Sequence, residues 1–418
     1  MSMLTKTERV VICGAGPVGL VTALALCRAG VPVTIVEADA TVCGDLRAVA
    51  YHPPSLDMLE DIGFLEPLSE IGYPQRYVRF SDRLLGEDVQ LDMEVLARRY
   101  RNPVSLLAGQ QWFTQVGYQL LLQEDCEFLF DHRVLDATQT DDEVVLTVFE
   151  NGAQKEIRAP WVLGCDGASS AIRRSQSIEF EGYTWPERFL MIDCKTDLSV
   201  RYGTNFMADG PDWKLTIRIP YGPGPDDWVQ RLVSGIHPDL SDEDALRPEL
   251  AQSRLKALMP SESDHPIVST RIYKVHQRVA KTFRYGRILL AGDAAHINNP
   301  MGGQGLNSGI HDAFNLAPKL AGVWRGETGT EPLDLYDRQR RITNWEFIQR
   351  VSVENKMRNE ETDIAKRRAA ITYLKSLVDD DDARFAFFMR WSMGDSLDYA
   401  ADITLDHPAE APRHAMPA

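Results

Sequence analysis

Gly14, Gly16 and Gly19 stand in G-x-G-x-x-G spacing within VVICGAGPVGL, and Glu37 follows the first of them by 23 residues. Between a strand and a helix, the first glycine permits a tight turn. The second lets backbone N–H groups approach a pyrophosphate, and the third lets helix pack closely on strand. A carboxylate about this far on, ending the second strand, can accept hydrogen bonds from a ribose diol. The chemistry indicated is dinucleotide binding, with NAD and FAD both open at this stage.

A second glycine-rich stretch narrows the choice. RILLAGDAAHINNPMGGQGLNSGIHDAFNLAPKL, from Arg287 to Leu320, joins an apolar run to an apolar-periodic run through Gly292, Asp293, Pro300, Gly302, Gly303 and Gly305. Closely spaced glycines are unfavourable in regular elements and mark places where backbone approaches something. The helix that starts after this loop offers free N–H groups to an anion, which suits the N1–O2 edge of a reduced isoalloxazine. His296 lies in the loop and His276 in YKVHQRVA, but neither has a His or Cys at metal-ligand spacing. Structural roles are expected for both, and no metal.

Elements must hold these motifs in place. A β-branched run over Arg9 to Cys13, a helix over Pro17 to Arg28 and a strand over Val31 to Val36 make a βαβ unit, so the fold class is α/β with a doubly wound cofactor domain. EVVLTVFENGAQKEIRAPWVLGCDG reads as a hairpin turning at Asn151-Gly152. From about Glu187 to Ile219 the pattern becomes antiparallel-looking strands, with a return strand near Ile272 to Arg278. The expected organisation is a discontinuous cofactor domain over 1–74, 101–185 and 279–332. An inserted antiparallel-sheet substrate domain is expected over 75–100 and 186–278, then a helical region over 333–403 and a disordered tail over 404–418. DDDD at Asp379 to Asp382 reads as a solvated turn.

A formal net charge of −16 argues against a polyanionic partner, so nucleic acid is not expected. The apolar run from Val10 to Leu26 is broken by glycines and a proline and is not read as a signal or a membrane span. The six cysteines lack CxxC spacing and sit mostly in apolar segments, which fits a reducing cytoplasm.

With GAGPVG and Glu37, GCDGASSAIRR from Gly164, and GDAAHINNPMGGQGLN from Gly292, the chain resembles the single-component FAD-dependent aromatic hydroxylases, class A flavoprotein monooxygenases of the para-hydroxybenzoate hydroxylase fold. The resemblance covers nearly the whole chain. It implies that Gly14, Gly16, Gly19 and Glu37 hold the ADP half of FAD, and that Asp293 contacts the ribityl or pyrophosphate region. Gly305, Leu306 and Asn307 would meet the pyrimidine edge of the flavin. It further implies that Arg47 in RAVAYHPPSLDMLEDIGF reaches the pyrophosphate, that Gln110 in LLAGQQWFTQ binds FAD with Gln111 the neighbouring alternative, and that Asp166 and Gly167 lie near FAD and the nicotinamide. By its own chemistry the Asp166-Gly167 pair could equally be a turn before a helix.

The implied reaction begins with hydride transfer from NADH or NADPH to FAD, continues through a flavin C4a-hydroperoxide formed with O2, and ends in hydroxylation of a small phenol or related ring such as a hydroxypyridine. Pro300 is expected to border the reacting oxygen, and Tyr51, Tyr221 and Tyr273 are candidate proton relays. Many relatives carry two prolines where this chain reads Asn298-Asn299-Pro300, a departure that bears on the oxygen environment. The thioredoxin-like C-terminal domain of longer phenol hydroxylases is not expected, and a monomer or homodimer is. Three rival readings share the cofactor site: a flavin-dependent halogenase, an FAD-dependent reductase or oxidase without oxygen insertion, and a flavin-binding regulator. The halogenase element W-x-W-x-I-P is missing, because Leu215 and Ile217 occupy the two Trp positions in WKLTIRIP.

Overall fold

The strand Val10–Cys13 is buried at all four positions, as are Val33–Val36, Val162–Gly164 and Ile288–Leu290. Continuous apolar runs of this kind form the middle of a parallel sheet covered on both faces. In the computed structural model, which describes residues 3–6, 8–198, 203–222, 224 and 227–408, they belong to one six-stranded sheet. Val10–Cys13 pairs in parallel with Val33–Val36 on one side and with Val162–Gly164 on the other, and Val162–Gly164 pairs with Ile288–Leu290. All three motifs therefore leave the sheet from the carboxyl ends of neighbouring strands, where open α/β sheets bind ligands.

The helix Pro17–Arg28 follows its strand at the expected residues, and the helices Gln110–Leu121 and Gln304–Trp324 pack beside it. The expected hairpin forms between Val144–Glu150 and Ala153–Ala159, with positive φ at Asn151 and Gly152. Together with Met3–Lys6 and Arg133–Gln139 these strands make a separate four-stranded sheet.

The third large sheet has eight strands. Phe180–Cys194 lies between Ile267–Ala280 and Trp228–Ile236, and Lys214–Pro220, Thr204–Ala208, Tyr77–Asp82 and Glu87–Asp92 extend it outward. Its pairs are antiparallel except for Thr204–Ala208 with Tyr77–Asp82. The first two strands run continuously across the expected boundaries at 185/186 and 278/279.

Helices follow from Glu331 to Asp402. The acidic run differs from its expected solvated turn, since Asp380 caps the helix Asp381–Trp391 by accepting from Asp382 N (3.1 Å) and Ala383 N (2.9 Å). Of the expected tail, residues 404–408 form a turn tied to Arg338, whose guanidinium donates to the Leu405 and His407 carbonyls; 409–418 lie outside the described residues. Among the described residues no helix is long and apolar enough to cross a membrane, and no group of three or more His, Cys, Asp or Glu could hold a metal ion.

Candidate active site

The three glycines of the fingerprint have different surroundings. Gly14 has φ +107° and a Cβ there would fall 2.5 Å from the Cys165 carbonyl oxygen; at Gly19 it would fall 2.1 Å from the Gly14 carbonyl oxygen. At Gly16 it would meet nothing within 4 Å. Two glycines thus allow backbone to touch backbone, while the third faces open space at the N-terminus of Pro17–Arg28. Glu37 is held at the mouth of this turn, its Oε2 accepting from Ala15 N at 2.6 Å and its Oε1 from Asp39 N at 3.0 Å.

The second and third motifs close on the first. A Cβ on Gly292 (φ +61°) would meet Val18 Cγ2 at 2.8 Å, and one on Gly309 would meet the same carbon at 2.4 Å. Val18 is therefore wedged between the strand end and the Gln304–Trp324 helix. Asp166, which follows Cys165, accepts from Ala171 N (2.7 Å) and Ile172 N (3.2 Å) through Oδ2, as in a turn before a helix, while its Oδ1 is buried without a partner. Burial pushes this carboxyl up against the lowering effect of the Ser170 hydroxyl and of the Ile172 and Ala171 N–H groups. Gly167 has φ +78° and open space around its Cα.

Asp293 is exposed to solvent just past the end of the strand Ile288–Leu290. Desolvation raises its pKa, and the fields of His296 and Arg47 pull the other way, so both lie near enough to act on it. Arg47 pairs with Asp45 at 3.0 Å in an exposed contact. Its backbone is fixed from the eight-stranded sheet: Arg231 donates to the Arg47 carbonyl (2.6 Å) and the Leu46 carbonyl (2.8 Å), and Arg271 also reaches Leu46 O (3.1 Å). Arg231 is in turn held by Asp193, both fully buried.

Beneath the 292–307 loop lies a buried ionic centre that the sequence reading did not identify. Asp312 accepts from Gly292 N (3.0 Å) and Arg340 Nε (2.6 Å) and bonds to His296 Nε2 (2.6 Å). Burial alone would raise its carboxyl, but His296 and Arg340 hold it down to about 2. The signal in the sequence was an acid on the apolar face marked by Ile310, Ala313 and Leu316. His296 has the structural role expected of it.

Gly302 (φ +104°) and Gly303 (φ +66°) turn the chain into the Gln304–Trp324 helix, whose first-turn N–H groups have no intrahelical acceptor. His52, also missed, donates from Nε2 to the Gly302 carbonyl at 2.8 Å, since a carbonyl can only accept, and its Nδ1 faces Ser105 Oγ at 3.3 Å. Asn307 is fully buried and its side chain is engaged by His52 N (2.8 Å), Ala50 O (2.9 Å) and Gly303 O (2.7 Å). Any contact it makes to a flavin is therefore limited to its backbone. Leu306 is half-buried on this turn, and a Cβ on Gly305 would have only Asn298 Oδ1 nearby, at 3.4 Å.

The two candidate glutamines have different surroundings. Gln110 Oε1 accepts from Ala48 N at 3.2 Å, fixing the segment that carries Arg47, whereas Gln111 Oε1 is buried without a partner. Asn298 Oδ1 and both polar atoms of the Gln304 amide are likewise buried and unpartnered. With Asp166 Oδ1 and the open space at Gly16, these groups fit a polar, extended cofactor lying along the three motifs.

The relay candidates separate clearly. Tyr51 is fully buried in the cofactor-domain core, stacked on Phe113 at 4.9 Å, and burial pushes its hydroxyl well above its ordinary value. Its hydroxyl is buried without a partner. Tyr221 is corrected as a relay: it is 38% exposed, with Lys195 Nζ 5.3 Å from its ring, and so lies on the surface. Tyr273 is half-buried opposite Phe189 on the large sheet, and its field reaches Arg47. Pro300 is exposed beside buried Met301.

A family model described as an FAD binding domain matches residues 7–351. Para-nitrophenol 4-monooxygenase of Pseudomonas sp. (strain WBC-3) is 35% identical over 371 residues, covering 86% of this chain and 89% of that protein. The 3-(3-hydroxy-phenyl)propionate/3-hydroxycinnamic acid hydroxylase of Mycolicibacterium smegmatis is 35% identical over 341 residues, 79% of this chain but only 58% of the relative's own length. Among solved structures, p-nitrophenol 4-monooxygenase from Pseudomonas putida DLL-E4 superposes with a TM-score of 0.87 at 31% identity, covering 93% of this chain and 99% of that one.

Proposed function

The chain belongs to the FAD-dependent aromatic hydroxylases, and from that premise we propose that it hydroxylates a small single-ring phenol with NADH or NADPH as electron donor and O2 as oxidant. The convergence of all three motifs at Gly14 and Val18 carries this reading, because it brings the adenosine, pyrophosphate and flavin determinants into one continuous cradle. The near-complete coverage of a para-nitrophenol monooxygenase supports a one-ring phenolic substrate. FAD, when bound, supplies hydride acceptance and oxygen transfer to the ring.

Within that cradle Glu37 faces the ribose, Arg47 the pyrophosphate, and the first turn of Gln304–Trp324 the electron-rich edge of the flavin. Gln111, with its unpartnered oxygen, takes the cofactor contact expected of Gln110. Asp293 is assigned to the ribityl side and Asp166 with Gly167 to the neighbouring wall. The substrate lies between the flavin loop near Pro300 and the sheet face that carries Tyr273, which would remove or hold the phenol proton. The free thiols of all six cysteines support a reducing compartment such as the cytoplasm.

Stopped-flow reduction of the FAD-loaded enzyme by NADH and by NADPH, with and without para-nitrophenol and other simple phenols, tests the reading. Reduction should accelerate with substrate, and 18O from labelled O2 should appear in the product. Substrate-independent reduction without label would indicate a reductase or oxidase, and bound FAD with no NAD(P)H consumption would indicate a regulator.

A further inference from the structure

A cavity of ≈ 250 Å³ lies away from the flavin cradle, between the helices Arg350–Glu360 and Ile364–Ser376 and the sheet strands Tyr77–Asp82 and Thr204–Ala208. No residue of the 292–307 loop lines it. One side is apolar: Phe80 and Phe206 stack with centroids 5.6 Å apart, and Ile371 and Leu374 complete the wall. The other side carries Arg358, Asn359 and Arg367.

The polar groups on that side are incompletely matched, and the imbalance has one sign. Asp82 is engaged by Arg367 (2.8 Å) and Leu85 N (2.9 Å), and Glu361 by Thr362 N and Asp363 N (2.9 Å each), with Lys366 3.5 Å away. Both carboxylates of the wall are therefore occupied. Arg358, by contrast, is held by a neutral partner, Asn355 Oδ1 at 3.0 Å, and rests near the rings of Phe80 (5.6 Å) and Trp391 (5.8 Å). Burial pulls its pKa down to about 10, against the field of a Glu354 that also pairs with Arg350 and Arg390. Asn359 is 3% exposed and Arg367 2%, yet Asn359 Nδ2 and Arg367 Nε have no acceptor. The buried atoms lacking a partner on this wall are thus donors, beside a guanidinium with no carboxylate of its own. Leaving such groups unpaired is unfavourable, and an acceptor anion would relieve it.

We propose that this cavity is a second binding site, distinct from the flavin cradle, for a small aromatic carboxylate. The carboxylate pairs with the Arg358 guanidinium, with the unpartnered donors Asn359 Nδ2 and Arg367 Nε just behind the wall, and the ring lies along Phe80 and Phe206. Inorganic anions would leave the apolar half unfilled, and neutral aromatics would leave the donors unpaired. Asn355 stands between this site and the flavin loop, with Nδ2 reaching the Met301 carbonyl at 3.3 Å and Oδ1 accepting from Arg358.

Ligand-detected NMR and calorimetry on the FAD-loaded enzyme, with benzoate, phenylacetate and 3-phenylpropionate as probes, test the site. At least one should bind with a Kd of roughly 1 mM or tighter. Benzamide and inorganic sulfate should bind at least about tenfold more weakly, as should the acid to Arg358→Gln, which removes the charge. Ala370→Phe, which fills the cavity from its rim, should weaken the acid to the same degree while FAD content and melting stay at wild-type values; it carries the test alone if Arg358→Gln does not fold. Binding that is unchanged in the folded variants, equal affinity for benzamide, or no binding by any of the three acids would overturn the proposal.

Discussion

Arg231 donates to the carbonyl oxygen of Arg47 at 2.6 Å, so a buried side chain of the large sheet fixes the backbone of the residue assigned to the FAD pyrophosphate. The same guanidinium is held on its other side by Asp193. The eight-stranded sheet and the loop that carries Arg47 are thereby joined through one buried ion pair, and a change at either end is felt at the other.

Replacing Arg231 with Met should leave Asp193 buried without its cation, although Ser269 still donates to Oδ2 at 3.0 Å. Breaking a buried pair from one side destabilises by about 3–5 kcal/mol. Denaturant unfolding of Arg231→Met should show a loss of that order, with weakened FAD binding. The double variant with Asp193→Asn should recover stability but not FAD affinity, because the Leu46 and Arg47 carbonyls still lack their donor. A single variant as stable as wild type would show that the pair does not fasten the loop.

Gly16 and Gly19 should respond differently to a single methyl group. Gly16→Ala meets nothing in the protein, so the apo chain should melt as wild type while FAD affinity falls at least about tenfold. Gly19→Ala places its Cβ 2.1 Å from the Gly14 carbonyl oxygen and should lower apo stability itself. Paired apo melting curves and FAD titrations separate the two; wild-type FAD binding by Gly16→Ala would remove the pyrophosphate from that position.

Asp293→Ala should act on the cofactor and not on the fold. The carboxylate is exposed and makes no hydrogen bond among the described residues, so apo stability should change by less than about 0.5 kcal/mol. FAD affinity or the rate of flavin reduction should drop at least about tenfold. Normal FAD occupancy and turnover with a lowered melting temperature would give the residue to the fold.

Local patterning made much of this legible. The βαβ unit was visible because parallel strands such as Val10–Cys13 are apolar at every position, and the hairpin because Asn151-Gly152 tolerates positive φ. What escaped depended on how distant elements pack. Asp312 and Arg340 lie 28 residues apart on two helices, and nothing local to either says that they meet. Gln110 and Gln111 differ only in which direction the first turn of a helix aims each amide, a property of the turn and not of the residue type. The surface position of Tyr221 and the burial of Tyr51 escaped for the same reason: burial and exposure are set by neighbours from other segments.

His52 should make the flavin loop acid-sensitive. Burial lowers its pKa from 6.5 to about 4, partly opposed by the bond to Gly302, so the folded chain holds it neutral where the unfolded chain has begun to protonate. A depressed folded value means that its contribution is fully present above the unfolded pKa. That contribution is lost as pH falls from about 6.5 and levels off under about 4, with a total of about 3 kcal/mol. His311, also lowered by burial, adds a loss of the same sign, so the test is a difference. His52→Gln keeps a donor for Gly302 O without a titrating ring. Its unfolding free energy should decline less steeply than that of wild type between pH 6.5 and 4, and the two profiles should run parallel above pH 7. Parallel profiles over the whole range would show that His52 does not couple protonation to the loop.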